Sequence, residues 1–309
     1  MTSEIMISIC LPIYNFDVNP LVGELSRQAK LLNKPYEIIL IDDCSNEVFK
    51  NINEVSCQKE TYIRLTKNVG RAKIRNLFLN YSNYENLLFL DCDSLVLKDD
   101  FLLKYVEVII QGSYNVVCGG RVYDMNRPDK LKMLRWKYGI KKESQPVDVR
   151  KKNPNKSFMT NNFLVNREIL ASILFDERIT EYGHEDTLFG YALKLRGISI
   201  DHIDNPVLNG DLEDNSEYLS KTEKGIKNLL HILDYVNYEK EFINDISLLR
   251  FYYKVNRFQK IIGAVFRLLK PSIEYLLTKG FISLFLFDFY KLGLLIKYQR
   301  SIAFNSPNS

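Results

Sequence analysis

Five short apolar runs separated by helix-like stretches constrain this chain more than any other feature. They occupy residues 7–11, 37–41, 62–65, 87–90 and 116–118. Each reads as a buried strand, being short, rich in Ile, Leu or Val, and bounded by turn-forming residues. Between them, Asn19 and Pro20 form a cap and first-turn pair for a helix reaching Leu32, while residues 70–79 and 100–110 carry apolar side chains at helical spacing. This β-α alternation predicts an α/β fold with a mostly parallel, twisted sheet and flanking helices. Beyond Asp124, residues 125–157 read as a basic, loop-rich insertion holding the sole tryptophan, Trp136. Residues 158–165 then read as extended, a helix follows Asn166, a helical pattern spans 185–196, and a strand spans 198–203. The first domain is therefore expected over 1–213. A long helix from Ser216 to Tyr235 opens a helical C-terminal region over 214–309.

In open sheets of this kind ligands gather where strands end, so the residues just after each run carry the functional information. Four such positions are polar: Pro12-Ile13-Tyr14-Asn15, Asp42-Asp43-Cys44-Ser45, Asn68-Val69-Gly70-Arg71 and Asp91-Cys92-Asp93-Ser94. The period of two in extended chain aims Asp91 and Asp93 to one side. Two carboxylates there can hold Mg2+ or Mn2+, which take hard oxygen ligands and share them with substrate phosphates; a solvated acidic turn is the competing reading. Asp43 offers acceptors to a base or ribose, or closes an Asx turn. Gly70 and Arg71 open a helix whose amides and dipole favour phosphate, with Lys73 and Arg75 as further charge. Glu185-Asp186 begins another helix, either complementing its dipole or supplying a general base. No G-x-G-x-x-G follows the first strand, which disfavours a dinucleotide dehydrogenase.

Together these stretches resemble the family 2 inverting glycosyltransferases of the GT-A fold (nucleotide-diphospho-sugar transferase, Rossmann-like), of the bacterial cell-surface polysaccharide type. The matching residues are Ser8 to Asn15, Glu37 to Ser45, Asn68 to Asn76, Asp91-Cys92-Asp93 and Glu185-Asp186, in family order. The resemblance implies a nucleotide-sugar donor, first of all a UDP-sugar, and a saccharide acceptor. It places Pro12, Tyr14, Asn15, Asp43, Gly70, Arg71 and Asp91 on the nucleotide, Asp93 on a metal ion, and Asp186 as the catalytic base. Asn161, Asn162, Asp176 and Glu185 fall where the family shapes its donor and acceptor pocket. Two departures stand out. Ile173-Leu174 replaces a glycine pair common in relatives, and Asn209 stands where relatives often carry a histidine ligand. An amide oxygen holds a hard cation weakly, so a loosely bound metal is expected, with Asn209 or Asp211 as helpers. A non-catalytic scaffold of the same fold and a nucleotidyltransferase are the rival readings; the latter lacks an early glycine-rich, basic loop.

Composition bounds the rest. Hydrophobic residues make up 46% of the chain, enough for a sizeable core. The five cysteines, Cys10, Cys44, Cys57, Cys92 and Cys118, form no C-x-x-C pair and mostly sit in or beside apolar runs, which fits a reducing cytosol. Met1 to Met6 show no leader pattern, so a cytoplasmic location is expected. Residues 250–300 hold ten Lys or Arg against two acids, leaving 32 bases and 36 acids elsewhere. No stretch there is apolar for the ~20 residues a spanning helix needs. Interleaved with Phe251, Ile261, Phe266, Leu268 and Phe281, these bases suit either a helical subdomain or peripheral contact with the inner face of the cell membrane, as a lipid-linked acceptor would require. The clustering of aromatics with aliphatics disfavours nucleic acid.

Overall fold

A computed structural model describes residues 6–305; most of Met1 to Met6, on which the expectation about a leader rests, lies outside the described residues. The strands are β1 (Ile7–Ile13), β2 (Tyr36–Asp42), β3 (Thr61–Arg64), β4 (Asn86–Leu90), β5 (Ser94–Leu95), β6 (Val116–Cys118), β7 (Arg121–Val122), β8 (Asn162–Asn166), β9 (Asp201–His202) and β10 (Val207–Asn209). The helices are α1 (Asn19–Leu32), α2 (Glu47–Ser56), α3 (Arg71–Tyr81), α4 (Phe101–Gln111), α5 (Met133–Tyr138), α6 (Val147–Lys151) and α7 (Arg167–Ser172). They continue with α8 (Glu185–Leu195), α9 (Asn215–Tyr235), α10 (Lys240–Asp245), α11 (Ser247–Lys254), α12 (Gln259–Thr278) and α13 (Leu284–Asn305).

Seven strands form the main sheet in the order β3-β2-β1-β4-β8-β6-β9. All neighbours are parallel except β8, which runs antiparallel to both β4 and β6. The mainly parallel α/β architecture expected from the alternation is thus present. Central strands are apolar on both faces, as a sheet covered on both sides requires. Ile9, Leu11, Ile38, Leu40 and Leu88 pack with Leu21, Leu25, Phe101 and Tyr105 of α1 and α4. Their sequence neighbours Cys10, Ile39, Ile41, Leu87 and Phe89 point the other way, onto Phe78, Leu170 and Phe189 of α3, α7 and α8. A second sheet of three short strands, β5-β10-β7, sets Asn209 opposite Ser94 and Leu208 opposite Val122. This small sheet brings the 91–94 turn, Arg121 and Asn209 side by side.

Several local expectations shift. Val18, not Asn19, is the N-cap of α1, and Asn19 instead hydrogen-bonds to the Asp17 carboxylate (2.6 and 3.0 Å). Pro20 sits in the first turn as its missing N–H permits. Of the extended 158–165, only Asn162–Asn166 is strand. Of 198–203, only Asp201–His202 is strand, beside the three-residue β6, while the Asn155 side chain takes the Ile198 carbonyl (2.8 Å).

Contacts divide the chain into two compact units. The first holds residues 1–124, 142–180 and 185–211; the second holds 125–141, 181–184 and 212–309. The expected insertion at 125–157 is thereby shared between them. In the second unit α9 is the spine, burying Tyr218, Leu219, Ile226, Leu229, Leu230, Ile232 and Leu233. Tyr218, Tyr138 and Phe287 form an aromatic cluster with centroids 5.6–6.0 Å apart. A β-carbon on Gly293 would lie 2.2 Å from the Phe266 ring, so glycine is what lets α12 and α13 approach.

Candidate active site

The loops leaving β1 and β2 are stitched to each other. Asn15, left-handed at φ 51°, donates its N–H to Ser45 Oγ and accepts the Asn46 N–H through Oδ1, both at 2.8 Å. Asp42 is buried and used internally, accepting from the Ser45 N–H (2.7 Å) and the Tyr62 hydroxyl (2.9 Å). Asp43 reaches the next loop, accepting from the N–H groups of Val69 (2.6 Å) and Gly70 (3.1 Å). Burial pushes the Asp43 carboxyl up despite those two bonds. Gly70 caps α3 at φ +83°, a conformation in which a side chain is strained. The Val69 and Gly70 amides, next to the expected phosphate site, are therefore engaged by Asp43. Tyr14 is 54% exposed beside this loop pair, and Pro12 is half-buried.

From α3 the contacts run on into the acids. Arg71 lies 3.6 Å from Glu185. Arg75, one turn later and buried, donates to Asp91 Oδ1 (2.9 Å) and lies 3.9 Å from Glu185. Asp91-Cys92-Asp93 forms a turn after β4, so strand alternation is not what aligns its two acids. Arg121 aligns them instead: its guanidinium is 3.3 Å from Asp91, 3.9 Å from Asp93 and 4.0 Å from Glu143. Asn209 Nδ2 donates to Asp93 Oδ2 (3.2 Å) and to the Asp211 carbonyl (2.7 Å). Asp91, Asp93 and Glu185, spread over more than ninety residues, are thus linked through Arg71, Arg75 and Arg121. Asp43 adjoins them through the Val69 and Gly70 amides just before Arg71, and Asp186, next to Glu185, hydrogen-bonds to Thr187.

The charges are tuned by this packing. Burial alone would raise the Asp91 carboxyl, but Arg75, Arg121 and Arg71 more than offset it and hold the group low. Asp186 goes the opposite way: burial, reinforced by the adjacent Glu185 charge, pushes it up to about 6. A carboxylate with that poise is suited to accept a proton near neutral pH. The chain enters α8 through Gly183 (φ +93°) and His184 (φ +70°), a left-handed turn that starts the helix at Glu185.

Among the described residues, six buried side-chain polar atoms lack a hydrogen-bond partner. Five belong to Arg75, Ser94, Arg121 and Asn161, all in or beside this network. Native interiors pair nearly all such groups, so these atoms call for partners from solvent or from a ligand. Asn161 is 3% exposed with both amide atoms unpaired, and its carbonyl accepts the Asp91 N–H (3.1 Å). Asn162 is different: its amide bonds to the Tyr105 hydroxyl and to the carbonyls of Gly120 and Asn205 (2.6–3.1 Å), which commits it to the framework. Asp176 pairs with Arg178, two residues on, and makes no hydrogen bond or ion pair to the acidic network.

Arg121 and Glu143 were not among the expected site residues. The signal was present, because Gly119-Gly120-Arg121 directly follows the strand at 116–118. The turn is rigid: a β-carbon on Gly119 would sit 2.3 Å from the Tyr105 hydroxyl oxygen, and buried Arg150 donates to the carbonyls of Cys118, Gly119 and Ile203 (2.8–3.1 Å). Glu143 gave no such signal, lying inside the irregular insertion.

The donor set fits a hard divalent cation only in part. Both Asp91 oxygens face arginines, and Asn209 presents its amide nitrogen to Asp93. No group of three His, Cys, Asp or Glu side chains capable of holding a metal occurs among the described residues. Asp93 is the carboxylate best placed to share a cation whose other ligands come from phosphate and water.

Known proteins with this architecture include the Pyrobaculum calidifontis mannosyltransferase PcManGT, solved with GDP-Man and Mn2+. Its TM-score is 0.62 at 16% identity, covering 97% of this chain and 88% of that one. Staphylococcus aureus TarS 1-349, solved with UDP-GlcNAc, gives a TM-score of 0.51 at 17% identity over 96% and 92%. Both share the fold. In sequence, the uncharacterized glycosyltransferase YfnE of Bacillus subtilis is 26% identical over 242 residues, 62% of this chain and 61% of that protein. An uncharacterized glycosyltransferase of Rickettsia felis is 31% identical over 105 residues, 33% of this chain and 17% of that protein, so the chain spans less than two thirds of the length of either relative. The family model for Glycosyl transferase family 2 matches residues 8–174, just over half the chain. It takes in the loops after β1, β2, β3 and β4 together with Arg121, and on that match the chain belongs to glycosyl transferase family 2.

Proposed function

We propose that this chain, through a catalytic domain over 1–213, transfers a sugar from a nucleoside-diphosphate donor to a hydroxyl of a saccharide acceptor, with inversion at the anomeric carbon. The observation that carries this reading is the network joining Asp91, Asp93 and Glu185 through Arg71, Arg75 and Arg121, with Asp43 on the amides that precede Arg71 and Asp186 adjacent to Glu185. Pro12, Tyr14, Asn15 and Asp43 flank the nucleoside, Gly70 and Arg71 the phosphates, and Asp91 the ribose. Asn161, with its unpaired buried amide, and Glu185 line the donor sugar. TarS and PcManGT were solved with uridine and guanosine donors respectively. A UDP-sugar is the reading the family resemblance favours.

In the reaction Asp186 accepts the proton of the acceptor hydroxyl as its oxygen attacks the anomeric carbon. The bond from that carbon to the diphosphate breaks on the opposite face, and its electron pair leaves with the diphosphate. Arg121 and Arg71 are the side chains that would face that developing charge. Mg2+ or Mn2+, held by Asp93 with Asn209 or Asp211 as helpers, would add Lewis-acid stabilisation of the leaving group.

The test is release of nucleoside diphosphate from a panel of donors, read by mass spectrometry with an acceptor mixture. Asp93→Asn and Asp186→Asn should each abolish most of it. Turnover surviving both substitutions would overturn the assignment.

A further inference from the structure

Helix α12 is apolar on two faces. Phe266, Ile273 and Leu277 are buried inward, Phe266 meeting Phe289 and Tyr290 of α13. The opposite face exposes Ile261 (64%), Val265 (42%), Leu268 (80%) and Tyr275 (62%). Their spacing of four, three and seven places all four on one stripe. Phe258 before the helix and Phe281 and Phe285 after it add rings that are 57–82% exposed. A continuous apolar face of this kind marks an interaction surface, since scattered exposed residues would not align.

Charge identifies what covers it. Arg257, Lys260, Arg267 and Lys279 lie in or next to the helix and are exposed, and none takes part in an ion pair among the described residues. The one acid of α12, Glu274, is occupied by Lys270 and by the Tyr290 hydroxyl (2.8 Å). Arg135 and Lys221 of the same unit, by contrast, are paired with Glu213 (3.1 and 2.9 Å). The helix has 20 residues and is about 30 Å long, yet no helix among the described residues is long and apolar enough to cross a membrane. We infer that the outer stripe of α12 lies flat on an anionic lipid bilayer, with its apolar residues in the acyl boundary and the unpaired bases on the headgroups. This surface stands independently of the transferase reading, although it would bring that site to a lipid-linked acceptor.

Sedimentation of the 309-residue chain with vesicles tests it. Binding to phosphatidylglycerol-rich vesicles, and little to pure phosphatidylcholine, is expected. The double variant Ile261→Ser/Leu268→Ser should lower the partition coefficient at least ~10-fold, since each loses most of a buried apolar side chain. Lys260→Gln/Arg267→Gln should lower it about fivefold per base and flatten its salt dependence. Circular dichroism melts matching the parent keep the comparison valid. Nucleoside diphosphate release in solution should be unchanged in both, which separates failure here from failure of the proposed activity. Equal binding by parent and Ile261→Ser/Leu268→Ser would overturn the inference. So would a parent that ignores anionic vesicles but forms a dimer that the same variant dissolves.

Discussion

The strand-end network and the outer face of α12 use the same residue types in opposite ways. Around Asp91 and Asp93 the arginines are paired: buried Arg75 bonds to Asp91 and to the Arg71 carbonyl, and Arg121 lies between both acids. On α12 Lys260 and Arg267 are exposed and have no ion pair among the described residues, and apolar side chains face outward beside them. Charges that neutralise one another in place create a preorganised site for a small ligand, at a desolvation cost borne during folding. Charges left without partners cost the fold little and remain available to something outside it. The contrast therefore separates the proposed catalytic site from the proposed attachment surface.

Substitutions can break or sharpen that contrast. The largest effect is expected at Asp186, where Asp186→Asn should cut kcat by about 10³-fold with little change in folding, measured by diphosphate release. Because the folded carboxyl titrates at about 6, kcat/KM should fall tenfold per pH unit below that point. The stability effect has the same origin. An unfolded aspartate titrates near ~3.9, so the folded chain holds the extra proton between that value and about 6, and this group's contribution to stability is lost as pH rises through that window.

Next comes Arg121→Gln, which leaves Asp91 with Arg75 alone and Asp93 without its guanidinium; a loss of about 3 kcal/mol in urea unfolding is expected. Asn209→Asp should act in the other direction on the metal, tightening Mn2+ about tenfold in calorimetry without nucleotide, as a charged oxygen replaces the amide nitrogen facing Asp93. Smallest is Arg267→Gln on α12, expected to stay within about 0.5 kcal/mol of the parent in the same urea experiment. If Arg121→Gln and Arg267→Gln cost the same, the distinction between the two regions fails.

Much of the fold was legible in the chain itself. Residues 7–11, 37–41, 62–65, 87–90 and 116–118 each coincide with a strand to within two residues at either end. Short apolar runs between turn residues have few alternatives. Less visible was β9, where six apolar-patterned residues yield a two-residue strand: its neighbour β6 has only three residues, and an asparagine from 43 positions earlier takes the Ile198 carbonyl. In the site, Asp43, Asp91, Asp93 and Glu185-Asp186 stood out because they follow strands or open a helix. Glu143 could not, since nothing local distinguishes it from other acids of an irregular segment.

What the sequence by itself determined is the set of strands, their order of appearance, and the polar residues placed at their ends, because hydrophobic periodicity and turn chemistry act over a few neighbours. Only the tertiary structure decided that Arg121 stands between Asp91 and Asp93, that Glu185 meets Arg71 and Arg75, and which apolar face of α12 is left uncovered. Ion pairing depends on separation in space, and burial depends on what else packs nearby; neither is written in the spacing of residues along one helix or strand.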